Sequence, residues 1–210
     1  MALDTGGVEV AGPWIDRAKT SHPALIDEAH VLDELLGVVN VPSGVWIDEQ
    51  GLIVRPPEPA FPWHPRQPTD ELLAQLPPLM AEQLREAQRI RIDPDSYVTA
   101  LRDWVAHGGE SKYALSPEQV IARSNPRDEE RGRAAASFEL GQHLQRLGET
   151  ADAVRWFREA HRLQPENWTY KRQAWSLADP LQGPTAEYDS DWLSEVRKLG
   201  AENYYPAVEL

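Results

Sequence analysis

Residues that could bind a metal ion gather between His22 and His30. The run Asp27-Glu28-Ala29-His30 has the carboxylates that hold magnesium in nucleotide-hydrolysing enzymes. Such enzymes also need a glycine-rich phosphate loop that ends in Gly-Lys-Ser or Gly-Lys-Thr, and this sequence has none. The four ionisable side chains of this stretch have a spacing that matches no metal-ligand pattern; they are His22, Asp27, Glu28 and His30. We therefore predict no metal site, and interpret Asp27 and Glu28 as acidic residues that open a helix.

The sequence lacks the side chains that nucleophilic or redox catalysis would need. The chain contains no cysteine, which removes disulfides, thiol nucleophiles and thiolate metal ligands together. No serine, histidine and aspartate lie close enough in the sequence to suggest a nucleophilic site. We predict no catalytic residue and no cofactor within these 210 residues.

Apolar and small residues between Ala134 and Pro165 follow the spacing of two antiparallel helices. Gly148 is placed at the turn, where a residue without a side chain ends a helix at the least cost. Pro165 ends the second helix. The stripe positions of the two helices are Leu140, Gly141 and Leu144, and then Ala153, Phe157 and Ala160.

This pattern resembles one tetratricopeptide unit, at residues 134–167. Units of that family hold partner proteins, and the first helix of each pair lines the concave binding surface. The resemblance implies that the chain binds another protein through this surface. The implied protein-binding residues are Phe138, Gln142, Gln145 and Arg146.

Residues 37–54, Gly-Val-Val-Asn-Val-Pro-Ser-Gly-Val-Trp-Ile-Asp-Glu-Gln-Gly-Leu-Ile-Val, predict a β-hairpin. Together with residues 1–36 they resemble the second half of a thioredoxin-like domain of the peroxiredoxin and thiol–disulfide oxidoreductase kind. The resemblance places Pro42 at the family's cis-proline, beside the redox site. The redox helix of that family would precede Met1. Either the native chain is longer, or residues 1–58 are a redox-silent remnant that supports the helical half.

The predicted organisation is sequential, with an α+β fold class. Residues 1–58 form an incomplete thioredoxin-like α/β segment, and residues 59–68 form a proline-rich connector. Residues 69–210 form a mostly α-helical region that contains the tetratricopeptide unit. Trp63, among the connector prolines, is expected to pack the connector onto one of the domains.

Charge and hydropathy exclude several classes of partner. The net charge of −13 disfavours nucleic acid and anionic membranes, which bind clustered lysine and arginine. No apolar run approaches the ~18 residues that span a bilayer. The N-terminus has neither the basic nor the apolar part of a signal peptide, so the sequence predicts a cytoplasmic location.

The function that these observations favour is a non-catalytic protein-interaction scaffold whose thioredoxin-like segment is redox-silent. The alternative is the C-terminal portion of a thiol–disulfide oxidoreductase whose reactive cysteine or selenocysteine precedes Met1. Detection of that residue upstream of Met1 would separate the two.

Overall fold

The computed structural model describes residues 1–124 and 126–210, in which helices and short strands are mixed. The predicted α+β class is therefore confirmed at this coarse level. The strands are β1 (Ala2–Leu3), β2 (Ile26–Asp27), β3 (Ser43–Ile47) and β4 (Ile53–Pro59). The helices are α1 (Gly7–Ala18), α2 (Val31–Leu36), α3 (Asp70–Gln75), α4 (Pro78–Ala87), α5 (Pro94–His107), α6 (Pro117–Arg123), α7 (Glu129–Arg146), α8 (Thr150–Leu163), α9 (Trp168–Ala178) and α10 (Trp192–Leu199).

The chain divides into two compact units, each assembled from two separate stretches of sequence. The first unit contains residues 1–39 and 126–177, and the second contains residues 40–125 and 178–210. The predicted boundaries at residues 58 and 68 both fall inside the second unit. The division differs from the sequential one because helices α7 and α8 pack with residues 1–39 and do not form a separate region.

The N-terminal part of the first unit is a small β–α–β arrangement. Strands β1 and β2 pair in parallel, with Ala2 opposite Ile26, and α1 connects them. Helix α2 begins beneath the carboxylate of Asp27, which accepts hydrogen bonds from the backbone N–H groups of residues 31–33 at 2.7–3.2 Å. The interpretation of this acidic run as a helix start is thus confirmed for Asp27.

Helices α7 and α8 form the predicted antiparallel pair. A Cβ atom at Gly141 would lie only 2.7 Å from the Phe157 ring, so the expected close approach of the two helices is confirmed. Gly148 adopts a φ of +81° at the turn, a conformation that glycine adopts without strain. Helix α9 completes this layer, because the ring of Tyr170 stacks on Phe138 with 4.2 Å between centroids.

The second unit is built around the predicted hairpin of β3 and β4. The two strands are antiparallel, with Ser43 opposite Pro59. Trp46 of β3 is buried in the core of this unit. Its ring stacks on Trp104 with 5.0 Å between centroids, and its Nε1 donates a hydrogen bond to the Tyr97 hydroxyl at 3.2 Å. Burial of such large aromatic rings supplies much of the apolar contact in a unit of this size.

Arg55 of β4 ties three parts of the second unit together. Its side chain is 1% exposed, and its guanidinium makes two 2.8 Å hydrogen bonds to the carboxylate of Glu58. It also donates to the carbonyl oxygens of Tyr113 and Glu209. A guanidinium that makes four hydrogen bonds in this way can be buried, and here it fixes the C-terminal tail against the hairpin.

The proline-rich connector differs from its prediction in two respects. Strand β4 continues to Pro59, so the irregular stretch begins at residue 60. Both ends of that stretch belong to the second unit, so it links β4 to α3 and does not separate two domains. The expectation for Trp63 is wrong, because this side chain is 58% exposed.

Within the residues that the structure describes, no helix combines the length and apolarity needed to cross a membrane.

Candidate protein-interaction site

Two of the four predicted binding residues on α7 are covered by the chain itself. Phe138 is 2% exposed and Gln142 is 3% exposed. The Phe138 ring lies between Tyr170 of α9 and His30, which meets it edge-on at 5.1 Å. Neither Phe138 nor Gln142 is available to a partner, which corrects their assignment: the face expected to be concave and open is filled by α9 and the N-terminal stretch.

The other two predicted binding residues lie near the C-terminal end of α7. Gln145 is half-buried and Arg146 is exposed. Their part in binding stays a prediction. Two isolated polar side chains do not form an extended contact surface, so they cannot replace the surface lost with Phe138 and Gln142.

The contact that covers Phe138 includes a buried polar cluster around His30. Its Nδ1 lies 2.9 Å from Asp33 Oδ2, and its Nε2 lies 3.4 Å from Gln173 Oε1. Gln173 Oε1 also accepts the backbone N–H of Thr5, which identifies this atom as the carbonyl oxygen. Both ring nitrogens of His30 therefore face acceptor oxygens, and a ring nitrogen that carries a proton can donate to the oxygen it faces.

This cluster joins the N-terminal stretch to α9, and its imidazole and carboxylate are buried. His30 is 4% exposed and Asp33 is fully buried. Among the described residues, Asp33 Oδ1 has no hydrogen-bond partner. A substrate could not approach the imidazole without opening the unit. The arrangement resembles the histidine–carboxylate pair of an acid–base site, but its burial assigns it a structural role.

The same surroundings act on Tyr170. Burial, followed by the negative charges of Asp33 and Glu34, raises the pKa of its hydroxyl above the ordinary value for tyrosine. The neutral phenol is the form that fits this apolar and anionic environment. In the part of the chain that the structure covers, no group of three histidine, aspartate or glutamate side chains is arranged to hold a metal ion.

Two helices of the N-terminal stretch leave apolar stripes exposed. Val10 and Trp14 lie one turn apart on α1, and Val31, Leu32 and Leu35 share one side of α2. These five side chains are 42–68% exposed. The sequence shows these apolar residues at helical spacing, which is typical of a helix face that is buried. The structure shows that these faces are instead largely exposed.

The surroundings of the two stripes are acidic. Residues 1–39 contain seven acidic and two basic side chains. One of the two basic residues, Arg17, lies over the Trp14 ring at 4.8 Å. Because Asp27 and Asp33 are buried, the charges of this stretch that solvent reaches are five acidic and two basic side chains.

Pro42 precedes β3 in the second unit, and the Val41–Pro42 peptide bond is cis. The carbonyl oxygen of Pro42 accepts a hydrogen bond from the N–H of Ala60 at 3.3 Å. Its predicted place beside a redox group stays a prediction. No protein-family model, no curated protein and no solved structure matches this chain.

Proposed function

We propose that this chain is a non-catalytic protein-interaction scaffold whose contact surface is the pair of apolar stripes on α1 and α2. The observation that carries this proposal is the exposure of Trp14, Val31, Leu32 and Leu35 within 22 residues of sequence. Folded proteins rarely leave several large apolar side chains exposed together unless they bind something. Burial of such side chains contributes about 25 cal/mol per Å² of apolar surface.

The charge around the stripes indicates the chemistry of the partner. A protein that presents an apolar patch rimmed by lysine and arginine would complement the acidic residues of the N-terminal stretch, such as Glu9 and Glu28. Complementary charge of this kind raises the association rate and disfavours wrong partners more than it adds affinity. We therefore expect binding to weaken as ionic strength rises.

In this proposal the helix pair supports the binding surface rather than forming it. Phe138 on α7 packs against His30, one residue before the start of α2. The tetratricopeptide-like pair then holds a segment of its own chain in the place where the family holds a partner. The exposed side chains of α2 begin at Val31, the residue that follows His30.

The alternative function keeps the thioredoxin-like resemblance and makes the chain part of a thiol–disulfide oxidoreductase. Helix α2 leads to the Val41-Pro42 peptide and then to an antiparallel hairpin, which is the order of elements that this resemblance expects. The stripes on α1 and α2 would then pack against further polypeptide that supplies the reactive cysteine or selenocysteine. The test is the intact mass of the protein isolated from its own cells, with alkylation of any thiol or selenol.

The scaffold proposal is tested by site-specific photo-crosslinking in the cells that make the protein. A benzophenone side chain replaces Leu35 in one variant and the similarly exposed Val105 of α5 in the control. We expect a discrete adduct with a second protein from position 35 and none from position 105. The adduct should disappear when Leu32→Ser is added. Absence of any adduct at position 35 would contradict the proposal. An adduct of twice the chain mass would show that the surface binds a second copy of this chain and not a different protein.

A further inference from the structure

The exposed stretch of the second unit that follows β4 is rich in regularly spaced prolines. Prolines recur at every third position through 56, 59, 62, 65 and 68. The first two lie in β4, and the last three follow it in the stretch Pro62-Trp63-His64-Pro65-Arg66-Gln67-Pro68, termed here the proline segment. A polyproline II helix has three residues per turn, so in that conformation Pro65 and Pro68, which follow the bend at residues 62 and 63, lie on the same side.

The proline segment is restricted to extended backbone before any partner binds. Each proline fixes its own φ near −65°, and the residue before each proline is pushed out of the helical region. After a bend at Pro62 and Trp63, residues 64–69 run without helix, strand or turn. Little conformational entropy is therefore left to lose on binding, which favours affinity in a short segment.

Two contacts hold the proline segment on the second unit while leaving its outer side open. His64 Nε2 lies 3.0 Å from Asp95 Oδ1, and Gln88 Nε2 donates to the carbonyl oxygen of Pro68 at 3.5 Å. Between these points Pro65, Arg66 and Gln67 are exposed, as is Trp63 just before them. The segment is thus displayed rather than packed.

The exposed side chains indicate the partner that fits. We infer that the proline segment docks into an aromatic-lined groove of another protein domain that reads polyproline II ligands, with a carboxylate of that domain binding Arg66. Such grooves accept prolines spaced by three residues between aromatic rings. Among the described residues Arg66 has no ion-pair partner in a chain of net charge −13, which leaves its guanidinium available for a partner carboxylate.

The test uses the full-length chain and purified SH3 domains that carry acidic residues beside their aromatic pockets. Isothermal titration calorimetry should show saturable binding. We expect Pro65→Ala and Arg66→Glu each to weaken that binding by at least ~10-fold, a difference of ~1.4 kcal/mol. When the acidic residue of the SH3 domain is first neutralised, Arg66→Glu should weaken binding much less than it does with the unchanged domain, because the two charges act as one pair.

Matched variants separate this inference from the proposed function. Pro23→Ala and Trp14→Ala change exposed residues of the same types in the first unit, and should leave SH3 binding unchanged. Trp63→Ala should weaken it. The inference is overturned if none of the domains binds the full-length chain, or if binding is indifferent to both Pro65→Ala and Arg66→Glu. The photo-crosslink at position 35 reports on the other unit and does not depend on this result.

Discussion

At the scale of single residues, His30 joins the two stretches of sequence that make up the first unit. Its ring touches Phe138, its Nδ1 binds Asp33, and its Nε2 faces Gln173 of α9. His30 has a positive φ of 56° and lies at the start of α2. By residue type this histidine can be considered as a metal ligand, but no local spacing could show that two of its contacts, Phe138 and Gln173, come from more than 100 residues away.

Removal of the His30 imidazole should destabilise the chain strongly. The variant His30→Ala leaves the fully buried carboxylate of Asp33 without its donor, and we expect a loss of about 3 kcal/mol in the free energy of unfolding. His22→Ala, at an exposed position, should change it by less than about 0.5 kcal/mol. Urea denaturation measures both. Adding Asp33→Asn to His30→Ala should recover part of the loss, and strict additivity would contradict the pairing.

Tyr170 makes the stability of the first unit sensitive to alkaline pH. Because burial raises the pKa of its hydroxyl, the folded state stays neutral above about pH 10, where an unfolded tyrosine ionises. The unfolded state then binds fewer protons, so stability falls as pH rises, by at most ~1.4 kcal/mol per pH unit for this group. We expect Tyr170→Phe to flatten the decline between pH 10 and 11. An equal slope in both proteins would contradict the assignment.

At the scale of elements, the helix pair shows what sequence pattern can and cannot supply. Glycines, proline and apolar spacing located α7, α8 and their turn, because these features act through local backbone preference. A local signal also begins α6, where Ser116 and Gln119 form a reciprocal pair of hydrogen bonds at the start of the helix. The pattern could not say which face of α7 is open, because that depends on the distant contacts of Phe138.

Two glycines of α7 give a matched test of the packing between α7 and α8. Gly141→Ala places a Cβ 2.7 Å from the Phe157 ring, which is buried and cannot yield, so we expect a net loss of about 1 kcal/mol or more. Gly132→Ala meets only the Arg127 side chain at 3.5 Å and should gain up to about 1 kcal/mol from helix propensity. Thermal and urea unfolding compare them. A gain in both variants would show that the helices do not approach closely at Gly141.

At the scale of the whole molecule, chain order is a poor guide to the units. Sequence composition predicted a boundary in the proline-rich stretch, since prolines usually mark a linker. The first compact unit instead combines residues 1–39 with 126–177, and in it the His30 ring packs edge-on against Phe138. Pairings across so many residues leave no periodic trace in the sequence.

Native-state hydrogen exchange tests whether the two stretches of the first unit unfold together. Phe138→Leu should weaken the packing on His30 and speed exchange in α7, and also at the Ala2 and Val38 amides, which bond to Leu25 and Asp33. Leu147→Ala, at an exposed position beyond α7, should change neither stretch. Faster exchange confined to residues 126–177 would instead favour the sequential domains, because residues 1–39 would then hold their structure without the helix pair.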